Sequence, residues 1–184
     1  MRRSHFLAGV TGSMSTLALA KLSQRALASD IVSYRLVATP MRYSPAPGVV
    51  VANAIGYNGQ IPGPVLRVRY GQRVHVEYVN NSPLETTVHW HGMVLPNAMD
   101  GVANVTQPPV MQGGRFVYEY APNPPGTRWY HDHAGKMAIL HGLFGMFIVE
   151  DPRDEPADVE FAVIFHDVPD MRSVRAAMMG TSHA

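Results

Sequence analysis

The chain has 184 residues and a formal charge of +1, with nine histidines and no cysteine. That length holds one domain with a real core and is too short for two full β-sandwiches, and the near-neutral charge excludes a strongly basic nucleic-acid footprint. Without cysteine there is no disulfide, thiolate metal site or thiol nucleophile, so a metal would be held by His, Asp, Glu or Met.

Residues 1–28 read as an export signal: Arg2 and Arg3, an apolar run from Phe6 to Ala20 diluted by Gly, Ser and Thr, and Ala26-Leu27-Ala28 as a cleavage site. The run is too short to span a bilayer comfortably. The paired arginines, with Lys21 and Arg25 after the apolar run, fit a twin-arginine signal, although Phe6-Leu7 lies one residue further from the arginines than in the usual pattern. Ordinary secretion and an uncleaved helix are the alternatives. Cleavage after Ala28 removes four positive charges and no negative one, leaving −3. The expectation is an exported protein, periplasmic or extracellular, with no membrane span and no nucleic-acid partner.

From Ile31 onward the pattern has period two. Strands are expected at 31–38, 49–55, 65–70, 74–78, 86–91, 116–120, 127–131, 145–150 and 160–165, most of them separated by Pro, Gly or Asn. In 65–70 the apolar Leu66, Val68 and Tyr70 alternate with Arg67 and Arg69, and after Gly71-Gln72 the run 74–78 alternates likewise. These two read as half-buried strands joined by a tight turn. A short helix around 136–141 is the one competing element. Gly and Pro together make up about a sixth of the residues, which favours short strands over long helices. The fold class is therefore all-β, a two-sheet antiparallel sandwich with Greek-key connections.

The chemistry concentrates in His89-Trp90-His91-Gly92 and Trp129-Tyr130-His131-Asp132-His133. On a strand, residues i and i+2 face the same side about 7 Å apart, so each His-x-His aims two imidazoles into one space. Two such strands side by side would make a patch of four. On spacing alone, ordinary solvent-facing histidines remain the alternative. Imidazole without thiolate suits copper, zinc, iron or nickel.

Together with these strings, Asn58-Gly59-Gln60-Ile61-Pro62-Gly63-Pro64, Asp100-Gly101, Thr106-Gln107-Pro108 and Pro125-Gly126-Thr127-Arg128 resemble the first cupredoxin (plastocyanin-like) domain of multicopper oxidases, the laccase-like family. The resemblance runs from about 31 to 165 and implies a cupredoxin-like Greek-key β-sandwich over 29–165, with 166–184 as a linker. It further implies a three-copper cluster that reduces dioxygen, lies between the first and last domains and takes two His-x-His motifs from each. His89 would bind the type 2 copper, His91 and His131 one type 3 copper, and His133 the other. Four imidazoles cannot saturate three coppers and must share them with a facing surface.

The same resemblance places a carboxylate near the cluster at Asp100, where it would orient ligands or water and assist proton delivery; an ordinary Asp-Gly turn is the alternative. Asp132, where the family commonly has serine, should point away from the ligands into a structural role. Trp90 and Trp129 are likewise expected to face away from them, and Gly92 to leave room for a packing domain or a bound species. His75, His141 and His166 read as surface, capping or turn residues, and Met171, Met178, Met179 and His183 as a linker that happens to carry methionine rather than a copper(I)-collecting tail.

No His-Cys-His and no second pair of His-x-His motifs occurs in these 184 residues, so no type 1 copper site is expected. The expected partners are the missing C-terminal cupredoxin domains or a second chain, with dioxygen and a reducing substrate in the complete enzyme. The chain alone is expected to be inactive as an oxidase. A stand-alone periplasmic copper carrier and a mononuclear histidine-site enzyme are the competing readings, and a copper nitrite reductase is disfavoured because its first domain needs the thiolate.

Overall fold

The structure, a computed structural model, describes residues 30–134 and 138–167. The expected export signal, residues 1–28, and the methionines and histidine of 171–183 lie outside the described residues. Eight strands are present among them: β1 (Ile31–Ala46), β2 (Val49–Tyr57), β3 (Gly63–Arg69), β4 (Arg73–Asn80), β5 (His89–His91), β6 (Arg115–Tyr120), β7 (Gly126–His131) and β8 (Phe144–Glu150). They form two four-stranded sheets, ordered β2-β1-β4-β6 and β3-β8-β7-β5. The sheets are mixed rather than antiparallel throughout, because β1 runs parallel to β4 and β3 parallel to β8.

That mixture follows from the connection between β3 and β4. The tight turn at Gly71, with φ of 93°, does not close a hairpin. It carries the chain from one sheet to the other, so that Leu66 and Val68 enter the core from one side and Val74, Val76 and Tyr78 from the opposite side. Period-two alternation reports which side chains are buried and is the same for a hairpin and for this arch.

Strand β1 is twice as long as expected. Its first half pairs with β4 up to Ala38, and its second half, from Ala38 to Ala46, pairs with β2 through two irregularities. Pro40 sits beyond the last β4 partner, where its missing N–H costs no ladder bond. Asn58, with φ of 54°, closes the gap that this switch leaves. Its backbone N–H donates to the Val37 carbonyl, its side-chain oxygen accepts from the Val37 N–H at 2.8 Å, and its amide donates to the Arg35 carbonyl at 2.8 Å. The edge of β3 is satisfied in a similar way: the Tyr34 hydroxyl accepts from the Arg67 N–H and donates to the Arg67 carbonyl.

The core lies between the sheets and is centred on Trp90. Its ring contacts Tyr118 and Tyr120 at 5.3 Å, Phe147 at 5.8 Å and Tyr130 at 5.9 Å between centroids. Such rings bury large areas and favour tilted and edge-on contacts. Tyr130 is held further by donating to the Pro64 carbonyl at 2.7 Å, and a side chain at Gly145 would collide with its ring. Residues 138–142 form turns rather than a helix, and 135–137 lie outside the described residues.

The strand expected at 160–165 does not form; this segment has no regular structure, with Phe161 81% and Phe165 94% exposed. Its alternating apolar residues meet no neighbouring strand edge, and without a partner the ladder hydrogen bonds that define a strand are missing. No helix among the described residues is long and apolar enough to cross a membrane.

Candidate metal centre

Trp90 occupies the inner face of β5, which leaves His89 and His91 on the outer face. The antiparallel pairing of β5 with β7 then sets His89 opposite His131 and His91 opposite Trp129. His133 follows two residues after His131, and its backbone N–H donates to the Thr87 hydroxyl at 3.3 Å. The four rings converge: His89 lies 5.7, 5.2 and 5.1 Å from His91, His131 and His133, and His131 lies 5.5 and 5.8 Å from His91 and His133.

Nitrogens of His89, His91 and His131 all fall within 4.8 Å of one another. Two rings are oriented by backbone carbonyls. His89 Nδ1 donates to the Asp100 carbonyl at 2.7 Å and His131 Nδ1 to the Asp132 carbonyl at 2.8 Å, which leaves both Nε2 atoms unprotonated in the neutral rings. His131 Nε2 lies 3.3 Å from His91 Nδ1. Two nitrogens each about 2.0 Å from one metal at a tetrahedral angle are separated by about that distance. Burial pushes the His131 ring down to about 4, so its neutral, ligating form is the one present near neutral pH. An all-imidazole donor set of this kind fits copper, and nothing in it supplies the thiolate of a blue copper site.

Asp132 does point away from the ligands. Its buried carboxylate accepts from the Thr87 N–H at 2.9 Å and from the Ala134 N–H at 3.3 Å, tying the approach to β5 to the loop that carries His133. Burial pushes this carboxyl up to about 6. Asp100 touches His89 mainly through its carbonyl, with its carboxylate 3.5 Å from the same Nδ1. The glycine after it has φ of +75° and packs on the Val88 carbonyl, leaving no room for a side chain. This close approach brings the Asp100 carbonyl to the ring.

One expectation needs correction. Trp129 does not face away from the ligands: it shares parity with His131, stacks on that ring at 4.1 Å and 28°, and lies 4.9 Å from His91. The i, i+2 rule applied to Trp129 and His131 was enough to place it there. Gly92 is required for a local reason, a φ of +77° beneath the Arg128 side chain, whose Nε donates to the Gly92 carbonyl at 3.0 Å. The other histidines among the described residues are engaged elsewhere. His75 pairs with Glu119 across β4 and β6, His141 donates to the Asn53 carbonyl, and His166 lies beside Tyr43 and Asp167.

A two-sheet sandwich with outward imidazoles on adjacent strands defines a cupredoxin-like metal-binding domain. The family model for multicopper oxidases matches residues 39–154, and the chain belongs to that family. It is 36% identical over 134 residues to Multicopper oxidase MCE of Talaromyces pinophilus, covering 72% of this chain and 22% of that protein. It is also 36% identical over 119 residues to Copper resistance protein A of Pseudomonas syringae pv. tomato, covering 64% and 19% respectively. Among solved structures, a multi-copper oxidase from Pseudomonas thermotolerans superposes with a TM-score of 0.64 at 40% identity, over 70% of this chain and 31% of that one. The chain thus spans about a fifth of the length of these curated relatives.

Proposed function

We propose that residues 29–165 form the N-terminal copper-binding domain of a multicopper oxidase, in which His89, His91, His131 and His133 supply half of the histidine ligands of a three-copper, dioxygen-reducing cluster. The observation that carries this reading is the convergence of four imidazoles on the outer face of one sheet. His91 and His133 are exposed, so the donors open outward toward a facing surface instead of enclosing a metal by themselves.

In this reading His91 and His131 would hold one type 3 copper, His133 the second, and His89 the type 2 copper, each shared with ligands from another cupredoxin domain or a second chain. Bound copper supplies one-electron transfer and the reduction of dioxygen to water. The Asp100 carbonyl fixes the His89 ring, and the Asp100 carboxylate, 3.5 Å from the same Nδ1, would hold and deliver protons. A type 1 copper would require a thiolate, which these 184 residues do not contain, so the entry point for electrons would lie outside them.

Titration of the purified chain with copper(II) tests the reading directly. Copper should bind through nitrogen ligands with no intense blue charge-transfer band, and absence of uptake would overturn the assignment. Export follows from the sequence signal: the mature protein should begin at Ser29 outside the cytoplasm. N-terminal sequencing of the exported protein checks this, and an intact Met1 in the soluble periplasmic fraction would refute it.

A further inference from the structure

We infer that Trp129 is a positioning residue of the copper site, a planar backstop that holds the His91 and His131 rings in their metal-binding orientation. The inference rests on the copper reading given above and concerns a residue outside the ligand set.

An imidazole on a strand turns about two side-chain bonds, and ligand rings are ordinarily oriented by a hydrogen bond from the nitrogen that does not face the metal. His89 and His131 have such bonds, to the carbonyls of Asp100 and Asp132. His91 has no carbonyl partner among the described residues; its hydrogen-bond contact is with the neighbouring ligand, His131, at 3.3 Å. The β5–β7 register instead places Trp129 directly across from it.

The indole lies 4.9 Å from the His91 ring at 30° and 4.1 Å from the His131 ring at 28°. One flat surface therefore lies within about 30° of both ring planes, and the nitrogens of these rings approach at the spacing of two ligands on one metal. Trp129 is only 37% exposed, and its outer edge lines a cavity of about 670 Å³ with Leu140, Phe144 and Met146. A smaller side chain would enlarge that cavity without opening the Trp90 core, so variants at 129 are expected to fold.

Trp129→Leu, which keeps an apolar side chain and removes the plane, and Trp129→Phe, which keeps a plane, separate positioning from bulk. In the metal-free wild-type protein, NMR should show the carbon-bound imidazole protons of His91 and His131 shifted upfield by the indole ring current, with cross-relaxation to the indole. In Trp129→Leu those resonances should move toward free-histidine positions. Copper(II) affinity should fall about ten-fold, and the paramagnetic resonance spectrum of the bound copper should broaden into more than one species. Trp129→Phe should restore a single species and most of the affinity. Unshifted imidazole protons in the wild type, or a Leu variant with wild-type affinity and spectrum, would overturn the inference. A wild-type chain that takes up no copper would overturn the copper reading instead, and the metal-free shifts, which need neither copper nor a variant, would still decide the role of Trp129.

Discussion

Replacing His89, His91, His131 and His133 together by alanine should abolish copper binding by the purified chain, whereas His75→Ala should leave the stoichiometry unchanged. The four rings are the imidazoles that converge among the described residues, His89, His91 and His131 with nitrogens within 4.8 Å of one another and His133 beside them with its ring 5.1 Å from that of His89, and neutral imidazole is the one strong copper donor this cysteine-free chain offers there. His75 lies in the other sheet and is paired with Glu119 at 2.6 Å. The quadruple variant should still fold. The contacts that join the two ligand strands, Asp132 to the Thr87 and Ala134 amides and Trp90 to its aromatic neighbours, involve none of the replaced side chains. Circular dichroism verifies the fold, and equilibrium dialysis followed by metal analysis gives the stoichiometry. Unchanged stoichiometry in the folded quadruple variant would remove the ligand assignment.

The second large effect is gain of oxidase activity on completion of the site. The isolated chain should be inactive toward phenolic or amine reductants, since four imidazoles leave the coppers short of ligands and no thiolate collects electrons. Co-expression with a cupredoxin segment that supplies the two further His-x-His motifs and the thiolate should yield oxygen consumption coupled to substrate oxidation. That activity should require all four histidines. Asp100→Ala should lower it about a hundred-fold while copper content stays close to wild type, because the variant keeps the carbonyl that orients His89 and loses only the carboxylate. Oxygen-coupled turnover by the rigorously purified chain alone would refute the shared-cluster proposal. A stable copper-loaded monomer that passes its metal to a second protein would favour the carrier reading.

The sequence by itself determined the strand-rich sandwich, the family, and the faces on which side chains emerge. Alternation along β3 and β4 identified Leu66, Val68, Val74 and Val76 as core, although Tyr70, assigned to the same face, lies beyond the end of β3 and is exposed, and the two His-x-His strings identified pairs of rings that share a face. Each of these rests on residues two apart, where the geometry of an extended chain leaves no choice. The same parity places Trp129 with His131, so its position was legible although the expectation went the other way.

Only the tertiary structure decided which strands become neighbours. Nothing within residues 65–78 distinguishes a hairpin from a crossing between sheets; β3 is committed by β8 and β4 by β1, strands far away in sequence. Residues 160–165 carry a strand pattern and remain unpaired, because a strand exists only where another edge accepts its hydrogen bonds. The metal centre depends on the same non-local choice. His89 meets His131, and His91 meets Trp129, only in the register that β5 and β7 adopt, and the carbonyl that orients His89 arrives from Asp100 on a separate loop. A one-residue slip would send one pair of imidazoles to the opposite face, so the pairing register, held by the buried Trp90 and Tyr130 on the inner face, turns two histidine motifs into one site.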